Sequence, residues 1–258
     1  MSTVTFKITK QRFFNNGNLI LPHICVKSGK SIEDAIKNWL CQRYTLTDKP
    51  HKSKVKGNWD GLDAADINKQ LRERMSSIEG IHGETHVEYG GLFHNSKEGF
   101  DFSLYDEDYN YNEIRNYFIG SPGIYKGDDF LENQVYKKLK SPNDNSGRMK
   151  KKEWKQILSK MDTESGFNTN TEKKSFTVVG EIQFGNWALG EHDLFRLINS
   201  SIKSSIYFYI YIAPTGNLTS KLSDGIVTYD KIIEAIVENS QLLSIPMWII
   251  GLDLSQEL

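Results

Sequence analysis

The sequence predicts an α/β fold: a mixed β-sheet flanked by helices, with an additional α+β portion at the N-terminus. Three observations carry this expectation. Towards the C-terminus, helix-period and strand-period segments alternate, which builds helices onto a sheet. SIYFYIYIA, residues 205–213, is an apolar run suited to a central strand buried on both faces. The N-terminal half mixes alternating segments with amphipathic ones.

In chain order, VTFKIT (4–9) alternates as a strand, and NNGN (15–18) is a turn cluster before LILPHICV. SIEDAIKNWLCQRY (31–44) has Ser31 as a cap and apolar residues at Ile32, Ala35, Ile36, Trp39 and Leu40, a helical spacing. TDKPHKSKVKGNWDG (47–61) is basic and polar and reads as a solvated loop. DAADINKQLRERMSSIEG (63–80) reads as a helix, and THVEYGGLFHNSKEGFDFSLY (85–105) as two strands around HNSKEG. DEDYNYNEIRNYF (106–118) is acidic, tyrosine-rich and too irregular to assign.

From Tyr136 to Lys160 the chain is strongly basic, which fits a solvated face or a phosphate-contacting surface equally well. TESGFNTN and KSFTVVGEIQF flank TEKK as a hairpin. NWALGEHDLFRLINSSI follows as a helix with Leu194, Ile198 and Ile202 on one face. TYDKIIEAIVENS is a further helix, and IPMWIIGLDL is the final strand.

Bulk properties exclude little. At 258 residues, 38% of them hydrophobic, the chain can build a sizeable core as one domain, with residues 1–130 as an N-terminal portion and 131–258 as the core of the site. Its 32 basic and 33 acidic residues leave a formal charge of −1, so any polyanion must be met by local clusters. Cys25 and Cys41 match no zinc spacing and read as small buried hydrophobes. His82, His86 and His94, with Glu84 and Glu88, form no HExxH pair and read as scattered surface residues. With no signal-peptide core and no apolar run long enough for a bilayer, a soluble cytoplasmic protein without a membrane partner is expected.

The sharpest local feature is GEIQFGN, residues 180–186. Side chains alternate across a strand, so Glu181 and Gln183 share one face at its end while Ile182 and Phe184 turn to the other. If the hairpin turns at TEKK, Glu181 lies opposite Glu164, with Asp162 one same-face step beyond. An acid on one strand and Glu181 on the next can share a divalent cation through hard oxygen ligands.

This constellation resembles the PD-(D/E)xK nucleases. The Glu-x-Gln followed by Gly-Asn and a helix start resembles the BamHI, BglII and BstYI group of type II restriction endonucleases, over residues from about 160 to 253. The resemblance implies a restriction-endonuclease-like sheet, site-specific Mg²⁺-dependent hydrolysis of double-stranded DNA with Mn²⁺ as a substitute, a homodimer, and a cognate methyltransferase in the same host. Glu181 would be a metal ligand and Gln183 would occupy the third active-site place. Asn186 and Asp224 match base-contacting positions, Gly225 departs from the arginine that follows there, and His192 and Arg196 on the exposed helix face are candidate DNA contacts. For the first-strand ligand, Asp162 has the hydrophobic–Asp form and Glu164 the spacing, and both stay open. A GATC-containing palindrome is the implied target. A non-catalytic DNA-binding protein, and a modification-dependent or repair nuclease on the same fold, remain as other readings.

Overall fold

The computed structural model describes residues 1–53, 57–88, 91–94, 99–119 and 168–255. Asp162, Glu164 and the basic stretch 136–160 lie outside the described residues.

The chain opens with β1 (Ser2–Phe14), α1 (Gly17–Ile20) and a 3₁₀ turn (Leu21–His23), followed by α2 (Ile32–Leu40) and β2 (Arg43–Leu46). Then come β3 (Asp48–Ser53), β4 (Gly57–Leu62), α3 (Ala64–Met75), β5 (Ile81–Glu88), β6 (Gly91–His94), β7 (Phe100–Leu104) and α4 (Glu107–Ile119). The C-terminal part holds β8 (Val178–Ile182), α5 (Trp187–Lys203), β9 (Phe208–Pro214), α6 (Gly216–Ser220), α7 (Tyr229–Glu238) and β10 (Met247–Leu254). Helix starts follow local chemistry: Ser31 Oγ accepts from Glu33 N–H at 3.1 Å, and Asp63 Oδ1 from Ala65 N–H at 3.2 Å.

Among the described residues eight strands form one mixed sheet in the order β2-β1-β10-β9-β8-β7-β5-β6. β8, β9 and β10 run parallel, and the remaining pairings are antiparallel. Strands from both halves of the chain therefore share one sheet. Every residue of β8, β9 and β10 is buried, because helices cover both faces. One face packs Ile182, Phe208, Ile210 and Trp248 with residues of α2 and α3 such as Ile36 and Leu71. The other packs Val179, Tyr209, Tyr211 and Ile249 with Leu194 and Leu197 of α5 and Ile232 of α7. Among the described residues no helix is long and apolar enough to cross a membrane.

At the heart of the sheet Gly180 lies opposite Phe102. A Cβ there would meet the Phe102 ring at 2.2 Å and the Ile210 carbonyl oxygen at 2.8 Å. Gly180→Ala is therefore expected to lower the midpoint of chemical denaturation, at a cost of about 1–3 kcal/mol from overpacking. An unchanged midpoint would show that the Phe102 ring has room to move.

Several expectations are corrected. The region read as a solvated loop is a two-stranded antiparallel ribbon of β3 and β4, in which His51 pairs with Trp59. Their rings lie 5.3 Å apart, and Leu62 N–H at the ribbon's base donates to the Lys221 carbonyl. Three strands, not two, occupy 81–104, and β5 pairs with both β6 and β7. The irregular tyrosine-rich stretch is α4, whose first turn is capped where Asp106 Oδ1 accepts from Tyr109 N–H. Cys25 and Cys41 are exposed.

Among the described residues no hairpin about TEKK is seen: β8 pairs with β7, antiparallel, and with β9, parallel. Residues 168–177 carry no strand. Thr169 is instead tied to α4, its N–H donating to Asn116 Oδ1 and its carbonyl accepting from Asn112 Nδ2. The expected apolar face of α5 is also displaced: Leu194 is buried but Ile202 is 80% exposed. A four-residue step overshoots one helical turn by about 40°, so a stripe at 194, 198 and 202 rotates off the core. Leu194 and Leu197 form the core face, with Ile198 packed against it, and Ile202 does not belong to it.

Candidate active site

The site lies where β8 ends and α5 begins. The β7–β8 register ends at Phe102 and Gly180, and just beyond it Asp101 of β7 lies near Glu181 of β8, close enough for their charges to repel. Both carboxylates are buried, and Asp101 Oδ2 accepts from Ile182 N–H at 2.8 Å. An acid of the neighbouring strand thus stands near Glu181, and it is Asp101, which precedes it by a long stretch of chain. Asp162 and Glu164, expected in this place, lie outside the described residues.

Two arginines flank this pair. Arg72 Nη2, from α3, lies 2.7 Å from Asp101 Oδ1. Arg196, from α5, donates to Glu181 Oε1 and lies 3.3 Å from Asp193 Oδ1. Arg196 was expected on the exposed face, but its side chain is only 20% exposed and turns inward to these carboxylates. His192, one turn earlier, stays exposed, with Nδ1 3.2 Å from an Arg196 nitrogen.

Asp193 is a third buried acid. It accepts from Gln183 Nε2 at 3.2 Å and from the Tyr211 hydroxyl at 3.1 Å. Gln183 Oε1 accepts from Gly185 N–H at 2.9 Å, so both ends of its carboxamide are held. Burial, then the mutual repulsion of the acids, pushes the Glu181 carboxyl well above its ordinary range against the pull of Arg196. Burial likewise raises Asp101 and Asp193. Carboxylates crowded in this way gain from an added cation.

Among the described residues no group of three or more His, Cys, Asp and Glu is placed to hold a metal alone. Two hard carboxylates near strand ends nevertheless fit Mg²⁺, which commonly binds one or two carboxylates and keeps water and substrate oxygens as its other ligands. Asp101 and Glu181 would be those two.

The recognition candidates meet nearby. Asn186 caps α5, its Oδ1 accepting from Ala188 N–H at 3.2 Å, and it is exposed. The turn holding Asp224 is laced to the same place: Trp187 N–H donates to the Gly225 carbonyl, Val227 N–H to the Gly185 carbonyl, and Asn186 bridges Ile226. Asp224 is exposed, and Gly225 adopts φ 75°, which a glycine tolerates without strain. Sequence reasoning missed Asp101, Arg72 and Asp193. On α3, one turn before Arg72, Asn68 Oδ1 is buried with no hydrogen-bond partner among the described residues.

Residues 9–252 match the model of the Endonuc-BglII family, restriction endonuclease BglII/BglIII. The match spans nearly the whole chain, and the protein belongs to this family, whose members are site-specific DNA endonucleases. A solved structure, that of restriction endonuclease BglII complexed with a DNA 16-mer, aligns over 100% of this chain and 79% of that chain, at 12% identity and a TM-score of 0.44. No curated protein sequence matches the chain.

Proposed function

We propose that the protein is a type II restriction endonuclease that makes Mg²⁺-dependent double-strand cuts at a short palindromic DNA sequence. The observation that carries this reading is the pair Asp101 and Glu181 on neighbouring strands, with Gln183 two residues further and the α5 N-terminus beside them, in a chain of this family.

Asp101 and Glu181 hold the cation, and Mn²⁺ can take the same oxygen ligands. When bound, the cation lowers the pKa of a water molecule and offsets charge developing on the scissile phosphate. Gln183 cannot accept a proton at neutral pH, so it is no general base. Its carboxamide, fixed by Gly185 N–H and Asp193, orients the attacking water through the second lone pair of Oε1. Asn186 and Asp224 face base edges from the start of α5 and the adjoining turn, with His192 as a further contact.

A palindrome cut on both strands calls for a two-fold dimer. Phe195 and Ile202 of α5 and Val237 of α7 are exposed apolar residues beside a groove between these helices. A second copy of the chain is the occupant, because it would set two α5 N-termini on the two half-sites. Phe195→Asp should weaken self-association about a hundredfold in sedimentation while leaving the fold intact, since Phe195 is 60% exposed. Unchanged association would remove this surface from the dimer.

The function is tested by digesting unmethylated phage DNA with Mg²⁺, with Mn²⁺ and with EDTA, and sequencing the ends. Discrete metal-dependent fragments are expected, and a GATC-containing palindrome is the first site to look for. Intact DNA in every lane would overturn the reading. Cleavage restricted to methylated DNA would indicate a modification-dependent nuclease, whereas a restriction enzyme is blocked by the methylation of its partner methyltransferase.

A further inference from the structure

We propose that Arg72 is a catalytic residue that binds the scissile phosphate while holding Asp101. This rests on the nuclease reading above and adds a substrate contact from the N-terminal half of the chain.

α3 turns Ile67, Leu71 and Met75 into the core, which fixes the helix beside β7 and β8. From that anchored position Arg72 extends to Asp101, with Nη2 and Oδ1 2.7 Å apart. One nitrogen therefore positions the carboxylate. The Nε–H is buried and, among the described residues, has no hydrogen-bond partner. A buried donor left unmade is costly, and a guanidinium presents five N–H groups in a fixed fork, more than one carboxylate oxygen uses. The Arg72 side chain as a whole is nonetheless 38% exposed, so part of it reaches solvent.

The anion that fits this fork is a phosphate, the ligand for which planar two-point recognition by arginine is best suited. A phosphodiester brought against Asp101 and Glu181 meets two like charges, and a neighbouring cation must offset them. Arg196 is the poorer candidate. It already serves Glu181, Asp193 and His192, and its side chain is only half as exposed as that of Arg72.

The test is a thermodynamic cycle on the full-length protein. The cleaved bond is first located with the wild type. Binding is then measured with Ca²⁺ in place of Mg²⁺, for wild type and Arg72→Gln, on duplexes with either a normal phosphate or a neutral methylphosphonate at the scissile position. Each single change should weaken binding about tenfold, the size of a charge-assisted contact, and the two together should weaken it no more than either alone. Losses that multiply would overturn the proposal, leaving Arg72 as a support for Asp101. Should Arg72→Gln fail to fold, Arg72→Lys carries the same cycle. A lysine keeps the charge but not the fork, so part of the coupling, at least about threefold, should be lost, and fully independent effects overturn the assignment there too. A wild type that cuts no DNA fails the nuclease reading itself, whereas a cutting enzyme with independent losses fails only the role of Arg72.

Discussion

Glu181→Ala should lose cleavage by at least about a thousandfold while retaining DNA binding measured with Ca²⁺. The carboxylate is 3% exposed and stands against Asp101 and Asp193, so it contributes little to a DNA-facing surface and much to a cation site. Arg196 keeps Asp193 as a partner at 3.3 Å in the variant, and the fold should survive. Thermal denaturation checks this and adds a sign. Burial and like charges raise the folded Glu181 carboxyl above its ordinary 4.5. The native state then binds more protons than the unfolded chain above that value, so wild-type stability falls as pH rises through the folded value. The variant lacks this loss, and its midpoint relative to wild type should rise as the pH increases above 4.5. Retained Mg²⁺-dependent cleavage would remove Glu181 from the metal site.

The sequence made legible those parts whose pattern is local. β8, α5, β9, α7 and β10 each carry their own period and caps, and the face shared by Glu181 and Gln183 follows from alternation alone. Strand partners are not local, and here the reading failed. TEKK looks like a turn before a strand, yet the antiparallel partner of β8 is β7, joined to it by a long stretch that includes α4. Nothing in FDFSLY marks Asp101 as an active-site acid, because its role exists only once that pairing is made. Arg72 was hidden for the same reason, within a helix whose apolar spacing reports packing alone. Arg196 was misplaced because α5 carries apolar residues around much of its surface, and an assumed core face at Leu194, Ile198 and Ile202 put Arg196 outside. The β3–β4 ribbon was missed because its polar composition gives no alternation to read.

Asp101→Asn should lose cleavage by about a hundred- to a thousandfold, comparable with the loss in Glu181→Ala. The substitution is nearly isosteric. The amide oxygen can still accept from Ile182 N–H, or from Arg72, but the formal charge and one acceptor are gone. What is lost is therefore the second hard anionic ligand, with the strand geometry preserved. Removing one of the like charges around Glu181 should also ease the repulsion that raises its carboxyl, so the variant should not unfold at neutral pH. Circular dichroism would verify that before activity is compared. Asp162→Asn and Glu164→Gln, assayed beside it, should keep activity within about tenfold of wild type, the range of contacts away from the reacting atoms. The reverse pattern, an active Asp101→Asn with an inactive Asp162→Asn or Glu164→Gln, would return the first-strand role to those residues. It would also mean that the carboxylate beside Glu181 serves Arg72 and the Ile182 amide and nothing more. A loss confined to Asp101 and Glu181 would establish that the cation site is built across β7 and β8, from the two halves of the chain.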